Sequence, residues 1–188
     1  AELIANKFAY MADVTAMGTA DEYAESIAQI GANIKNMKGD VDDAIALTSI
    51  VGDKLAKNGK EAGAAIKTFS TYMQRDQTLD LMDELAEKWN DNSVRIRQGT
   101  EGLKDFKGTL NSIAVAYSRL KAEGDDQGVL SLVNALGATR RRDAAYAMLD
   151  AISSSEGQNL DYYYEKIDEA VRKGNYLEQQ NEEIGRAS

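Results

Sequence analysis

Four carboxylates stand in two adjacent pairs, Asp42-Asp43 and Asp125-Asp126, and paired acids are the groups that carry acid–base work in glycoside hydrolysis. Adjacent positions on a helix point about 100° apart, and both pairs stand where a helix N-terminus favours negative charge. Helix capping is the role that this spacing assigns them. Gly52 to Lys60, GDKLAKNGK, has the outline of a phosphate loop. Its glycines are too far apart, however, and Glu61 stands where Ser or Thr would bind magnesium. The one basic run, Arg140-Arg141-Arg142, could meet phosphate or form a solvated helix face paired with nearby acids. Tyr162-Tyr163-Tyr164 cannot all face one side of a helix. One or two pack inward, and the remainder could anchor a partner. Candidate partner contacts are therefore Arg140, Arg141, Arg142, Tyr162 and Tyr163.

Other chemistries lack their residues. His and Cys are absent from all 188 positions, which removes the usual zinc sites, thiol nucleophiles and His-based triads. The expectation is a protein that is not an enzyme, with no catalytic residue, cofactor, metal or small-molecule substrate. With 22 basic and 31 acidic residues the net charge is -9, a field that repels nucleic acid and anionic membrane. Neither is an expected partner. No run of about 18 apolar residues and no signal-peptide pattern occurs. The sequence starts at Ala1 rather than Met, which suggests a piece of a longer protein.

The elements that must position these residues are helical. Proline is absent, where average usage would give about nine, and helix-forming residues are plentiful. The expected fold is all-α, a multi-helix bundle of about eight to ten helices, with at most a short extended connector near Val94-Ile96. A first helix is expected from Glu2 to Met17. Thr19 stands three residues before Glu22, a capping-box arrangement, and opens a second helix whose apolar series is Tyr23, Ile27, Ile30, Ile34 and Met37. Gly39 ends it. Asp40 caps a third helix with Ala44, Thr48, Val51 and Leu55 on one stripe, before Asn58-Gly59 turns the chain. A fourth carries Ala62, Ile66, Phe69 and Met73, and a fifth carries Leu79, Met82, Leu85 and Trp89. The alternation Ser93-Val94-Arg95-Ile96-Arg97 reads as extended. The spacing from Leu103 through Phe106, Leu110, Ile113, Tyr117 and Leu120 restores a helix. Shorter helices fit Gln127–Leu136, Thr139–Ser153, Leu160–Lys173 and Tyr176–Ile184. Ser153 to Gly157 reads as a linker, dividing a bundle over 1–153 from a polar helical arm over 154–188, packed on the bundle or leading away from it.

One run asks for explanation. Ala62-Gly63-Ala64-Ala65, followed by Ile66, gives the fourth helix almost no side chain in its first turns. Gly inside a helix costs up to about 1 kcal/mol against Ala, so the patch reads as a packing or assembly site where another helix approaches closely. That helix could belong to the same bundle or to another chain.

At this patch the sequence resembles the helical region of phage tail tape measure proteins. The resemblance is carried by EYAESIAQIGANIKNMKG, by DVDDAIALTSIVGDKLAKNGKEAGAAIKTF after it, by VRIRQGTEGLKDF as a short connector, and by LVNALGATRRRDAAYAMLDAI as a Leu-Gly-Arg turn into another helix. It spans roughly Tyr10 to Asn181. Ala62-Gly63 and Gly137-Ala138-Thr139-Arg140-Arg141-Arg142-Asp143-Ala144 are specific through their order and separation. Where the family has a hydroxyl residue after the glycine, this chain has Ala64. The resemblance implies a structural virion protein around which a tail tube assembles and whose length sets the tube's length. It implies tube, chaperone or tip proteins as partners, a homo-oligomer as one form, and a location in the virion tail, or the bacterial cytoplasm during assembly. As a single helix 188 residues would span about 280 Å, whereas a compact domain has a radius of gyration near 16 Å. The breaks at Gly18, Gly39, Gly59, Gly99, Gly124 and Gly137 favour the compact form.

Overall fold

The computed structural model describes residues 2–137, 139–174 and 176–187. Ala138, within the Arg-rich turn of the resemblance, and Ala1, Asn175 and Ser188 lie outside the described residues. Among the described residues ten α-helices follow one another: α1 (Glu2–Val14), α2 (Ala20–Asn36), α3 (Val41–Leu55), α4 (Gly59–Tyr72), α5 (Asp76–Trp89), α6 (Phe106–Ala122), α7 (Asp126–Gly137), α8 (Arg142–Ser153), α9 (Leu160–Arg172) and α10 (Tyr176–Ala187). Helix makes up 78% of the protein, so the all-α reading holds. The departure from helix is a two-stranded antiparallel ribbon, β1 (Arg97–Gln98) and β2 (Gly102–Leu103), entered through a 3-10 turn at Asn92–Val94.

α3 is the centre of the bundle. Every residue from Asp43 to Gly52 is buried, because α2, α4, α8 and α9 all pack on it. A single stripe of Ala44, Thr48, Val51 and Leu55 understates this. A helix enclosed on all sides is apolar or small all round, and Ala44-Ile45-Ala46-Leu47 meets that description. Side-chain oxygens begin α2, α3, α4, α6 and α9: Thr19, Asp40, Asn58, Asp105 and Asn159 each accept the N–H three residues on. Each occupies an otherwise orphan donor.

Two glycines expected to turn the chain serve contact instead. Past the Met37 cap of α2, Lys38 takes the left-handed position, with a φ of 61°. Gly39 follows it, and a Cβ there would lie 2.6 Å from Ile34 Cγ2 and 3.0 Å from the Phe106 ring. The α3 C-cap likewise falls on left-handed Ala56, and Gly59 is the first residue of α4. The extended connector is also shifted from its expected place. Val94 and Ile96 are buried, Val94 inside the 3-10 turn, and strand pairing begins at Arg97. Leu103 belongs to β2 rather than to α6, which Asp105 caps.

The expected linker is a tied turn. Asn159 Nδ2 donates to the Ser154 carbonyl at 2.9 Å, and Asn159 Oδ1 accepts the Tyr162 N–H. Tyr163, Ile167 and Ala170 of α9 join the same core as α3. Of the arm expected over 154–188, α9 is thus a core helix, while α10 touches α1 and exposes the side chains of residues 181–186. Among the described residues no helix is long and apolar enough to cross a membrane.

Candidate functional site

The small-residue run lies at the crossing of α4 with α2. Ala62, Gly63, Ala65 and Ile66 are buried, Ala64 is half-buried and Lys67 is exposed. A Cβ on Gly63 would stand 2.7 Å from Gln29 Nε2 and 3.1 Å from Ser26 Cα, and one on Gly59 would overlap the Glu22 carbonyl. The two backbones therefore meet at Gly59 and Gly63, four residues apart on one helix face. Polar bonds flank the contact. Glu22 accepts the Gly59 N–H, Gln29 Nε2 donates to the Lys60 carbonyl at 2.9 Å, and Asn33 Nδ2 donates to Ser70 Oγ at 2.8 Å. α2 is also tied to α3 by Ser26 and Thr48, 2.8 Å apart.

The bond from the Gly59 N–H to Glu22 corrects the reading of Thr19 and Glu22 as a capping box. Thr19 does accept the Glu22 N–H at 3.3 Å, but the Glu22 carboxylate caps the N-terminus of α4 rather than returning to Thr19. An anion there complements the partial positive charge of α4. Gly59, Glu22, Gln29 and Asn33 are members of this crossing that the sequence did not reveal. The Gly59-x-x-x-Gly63 spacing was the available signal, and it was hidden because Asn58-Gly59 also fits a turn.

A second set of contacts joins tyrosines to carboxylates on distant helices. Tyr163 donates to Asp53 at 2.6 Å and Tyr164 to Asp43 at 2.5 Å, tying α9 to α3 at two levels. Tyr10 donates to Glu169, and Tyr117 to Asp150 at 2.7 Å. Burial first, and then the neighbouring carboxylate, raise Tyr163 and Tyr164 well above the ordinary phenol value. Tyr163 is completely buried and so is no partner contact. Tyr162 is half-buried, meeting the Tyr163 ring edge-on with Lys166 over its own ring.

The acid pairs occupy structural positions. Asp40 and Asp43 form a capping box on α3, and Asp42 pairs with Lys7 at 2.8 Å. Burial raises Asp43 above the usual carboxylate range, against the hydrogen bond from Tyr164. Asp125 Oδ1 accepts the Gly128 N–H at 2.9 Å and Asp126 opens α7. The arginine run does not form one helix face. Arg140 and Arg141 belong to a 3-10 turn at Thr139–Arg141, and Arg142 opens α8, with Nε donating to the Asn134 side chain at 2.8 Å. Arg140 and Arg142 are exposed.

A third cluster was legible only as alternation. Arg95 and Arg97, on the connector, reach down to an acidic ridge of α5. Arg97 pairs with Asp80 at 3.0 Å and with Asp83, and Arg95 with Asp83 at 3.1 Å. Asp76, Asp80, Asp83 and Glu87 recur at steps of four and three, one face of a helix. Comparison with protein-family models, with curated proteins and with solved structures finds no match to this chain.

Proposed function

We propose that this chain is a folded structural segment of a phage tail tape measure protein, acting in tail assembly and tail-length determination without catalysing a reaction. The observation that carries the reading is the ordered resemblance from EYAESIAQIGANIKNMKG to LVNALGATRRRDAAYAMLDAI. One part of it, Ala62-Gly63, lies at the α2–α4 backbone contact. The geometry supports a docking or assembly unit rather than the ruler itself. The longest helices, α2 and α6, have 17 residues each, about 26 Å at 1.5 Å per residue. The measuring length would come from chain beyond these residues. The capping and tyrosine-bonded roles of Asp42, Asp43 and Asp125 weigh against a carboxylate-dependent wall hydrolase. A generic helical interaction module is the second reading, favoured by the exposed face of α10.

An in-frame deletion of the codons for residues 1–188 in the parent gene, with tails measured by electron microscopy, tests the proposal. Lost or shortened tails are the expected result. Tails of normal number and length would overturn it.

A further inference from the structure

We propose that a trough along the outer face of α6 is a docking surface for α10 of a second copy of this chain. This inference stands apart from the tail reading and holds or fails without it. Three adjoining hollows make the trough. One, of about 230 Å³, lies between α6 and the start of α9 and includes Lys107, Asn111 and Leu160. The next two continue past Val115, Ser118 and Ile152, sharing Asn111, Ser118 and Ile152 with their neighbours. Asn111 and Ser118 are exposed, and Val115, Ile152 and Leu160 are half-buried.

Length, charge and placement point to the occupant. From Lys107 to Ala122 the floor runs about 22 Å, and the 12 residues of α10 make a rod of about 18 Å. Cations at Lys107, Arg119 and Lys121 edge the trough in a chain of net charge -9. Lys121 is 3.7 Å from Asp150, Arg119 is 3.3 Å from Glu123, and Lys107 is 4.0 Å from Asp43. Two carboxylates also line the trough, Asp150 beside Lys121 and Asp161 at the end near Leu160. Over residues 181–186, α10 carries Glu182 and Glu183 against Arg186, which pairs with Glu182 at 3.8 Å, a net charge of -2 + 1 = -1, opposite in sign to the α6 cations. Ile184 is 69% exposed, the largest exposure among the big apolar side chains of the described residues. A chain cannot readily fill its own trough, since α10 leaves from the C-terminal end of α9 beside α1 and the trough lies at the N-terminal end of α9. One short helix in one groove falls well below the roughly 1,200 Å² of a stable interface. The contact is therefore a weak one, which rises with concentration.

The chain has no cysteine, so introduced thiols report one contact each. Chains carrying Ser118→Cys are mixed with chains carrying Ile184→Cys under mild oxidation, and disulfide-linked dimer is measured on a non-reducing gel. The mixture is expected to give several-fold more dimer than either variant alone, and adding Asn111→Glu to the first partner is expected to abolish the excess. Sedimentation of the unaltered chain is expected to show mass above the monomer that rises with protein concentration, consistent with a small interface. A mixture that cross-links no better than its separate components overturns the proposal. So does a double variant, Ser118→Cys with Ile184→Cys, that closes its disulfide within a monomer, which would place α10 in its own trough.

Discussion

Tyr163 Oη donates to Asp53 Oδ2 at 2.6 Å, across 110 residues of sequence, and the second carboxylate oxygen of Asp53 accepts the Ala16 N–H at 2.6 Å. One side chain on α3 thereby fixes both the α1–α2 connection and the start of α9. Tyr163→Phe keeps the packing and removes the donor, leaving Asp53 short of one partner. The expected loss is about 1–3 kcal/mol, read as a fall of several degrees in melting temperature. An unchanged melting temperature would show that the bond is replaced by water.

Asp43 and Glu169 should respond to pH with opposite signs. Burial raises Asp43 in the folded state, above an unfolded value of about 3.9. The folded state then holds its proton more tightly, so the Asp43 contribution is largest at low pH and declines as pH rises through the folded value. The stability of Asp43→Asn relative to the unaltered protein should accordingly improve as pH rises above about 4. Glu169 is held low, chiefly by the hydrogen bond from Tyr10 and then by Lys166. Its contribution is present above the unfolded value and is lost as pH falls, so the deficit of Glu169→Gln should shrink with acidification. Urea titrations at a series of pH values check both, and parallel trends in the two variants would contradict the assignment.

The ribbon should depend on Arg97 more than the bundle does. Arg97→Ala removes its bonds to Asp80 and Asp83 and should change the stability of the whole protein little, because these ion pairs are partly exposed. Locally, hydrogen exchange at the Lys104 N–H, bonded to the Ile96 carbonyl at 3.0 Å, should quicken. Arg97→Lys should recover little, since an ammonium lacks the guanidinium fork. Equal exchange in all three proteins would show that β1 and β2 pair without the clasp.

Helix types and stripes were legible where one side of a helix faces solvent. On α4 and its C-cap, Ala62, Ile66, Phe69 and Met73 are all buried as their spacing requires. The reading failed where local and tertiary demands use the same residue. Gly39 and Gly59 looked like chain breaks, while the left-handed positions fell on Lys38 and Ala56 and the glycines served contact with Phe106 and Glu22. Glu22 looked like a partner for Thr19 and instead caps α4. No local pattern could announce Tyr163–Asp53 or Tyr10–Glu169, whose partners are joined only by folding. The trough along α6 was equally hidden, because small and polar residues on a helix face read as ordinary solvated surface.

The central structural claim is that α2 and α4 touch backbone to backbone at Gly59 and Gly63 within one chain, and thermal unfolding of Gly63→Leu tests it most directly. A leucine there must displace Gln29 and Ser26, an overpacking that typically costs about 1–3 kcal/mol. The melting temperature should fall by several degrees, by the same amount at every protein concentration, while Lys67→Leu, at an exposed position one turn on, should change it little. A Gly63→Leu protein that melts with the unaltered one, or whose loss disappears on concentration, would contradict the account.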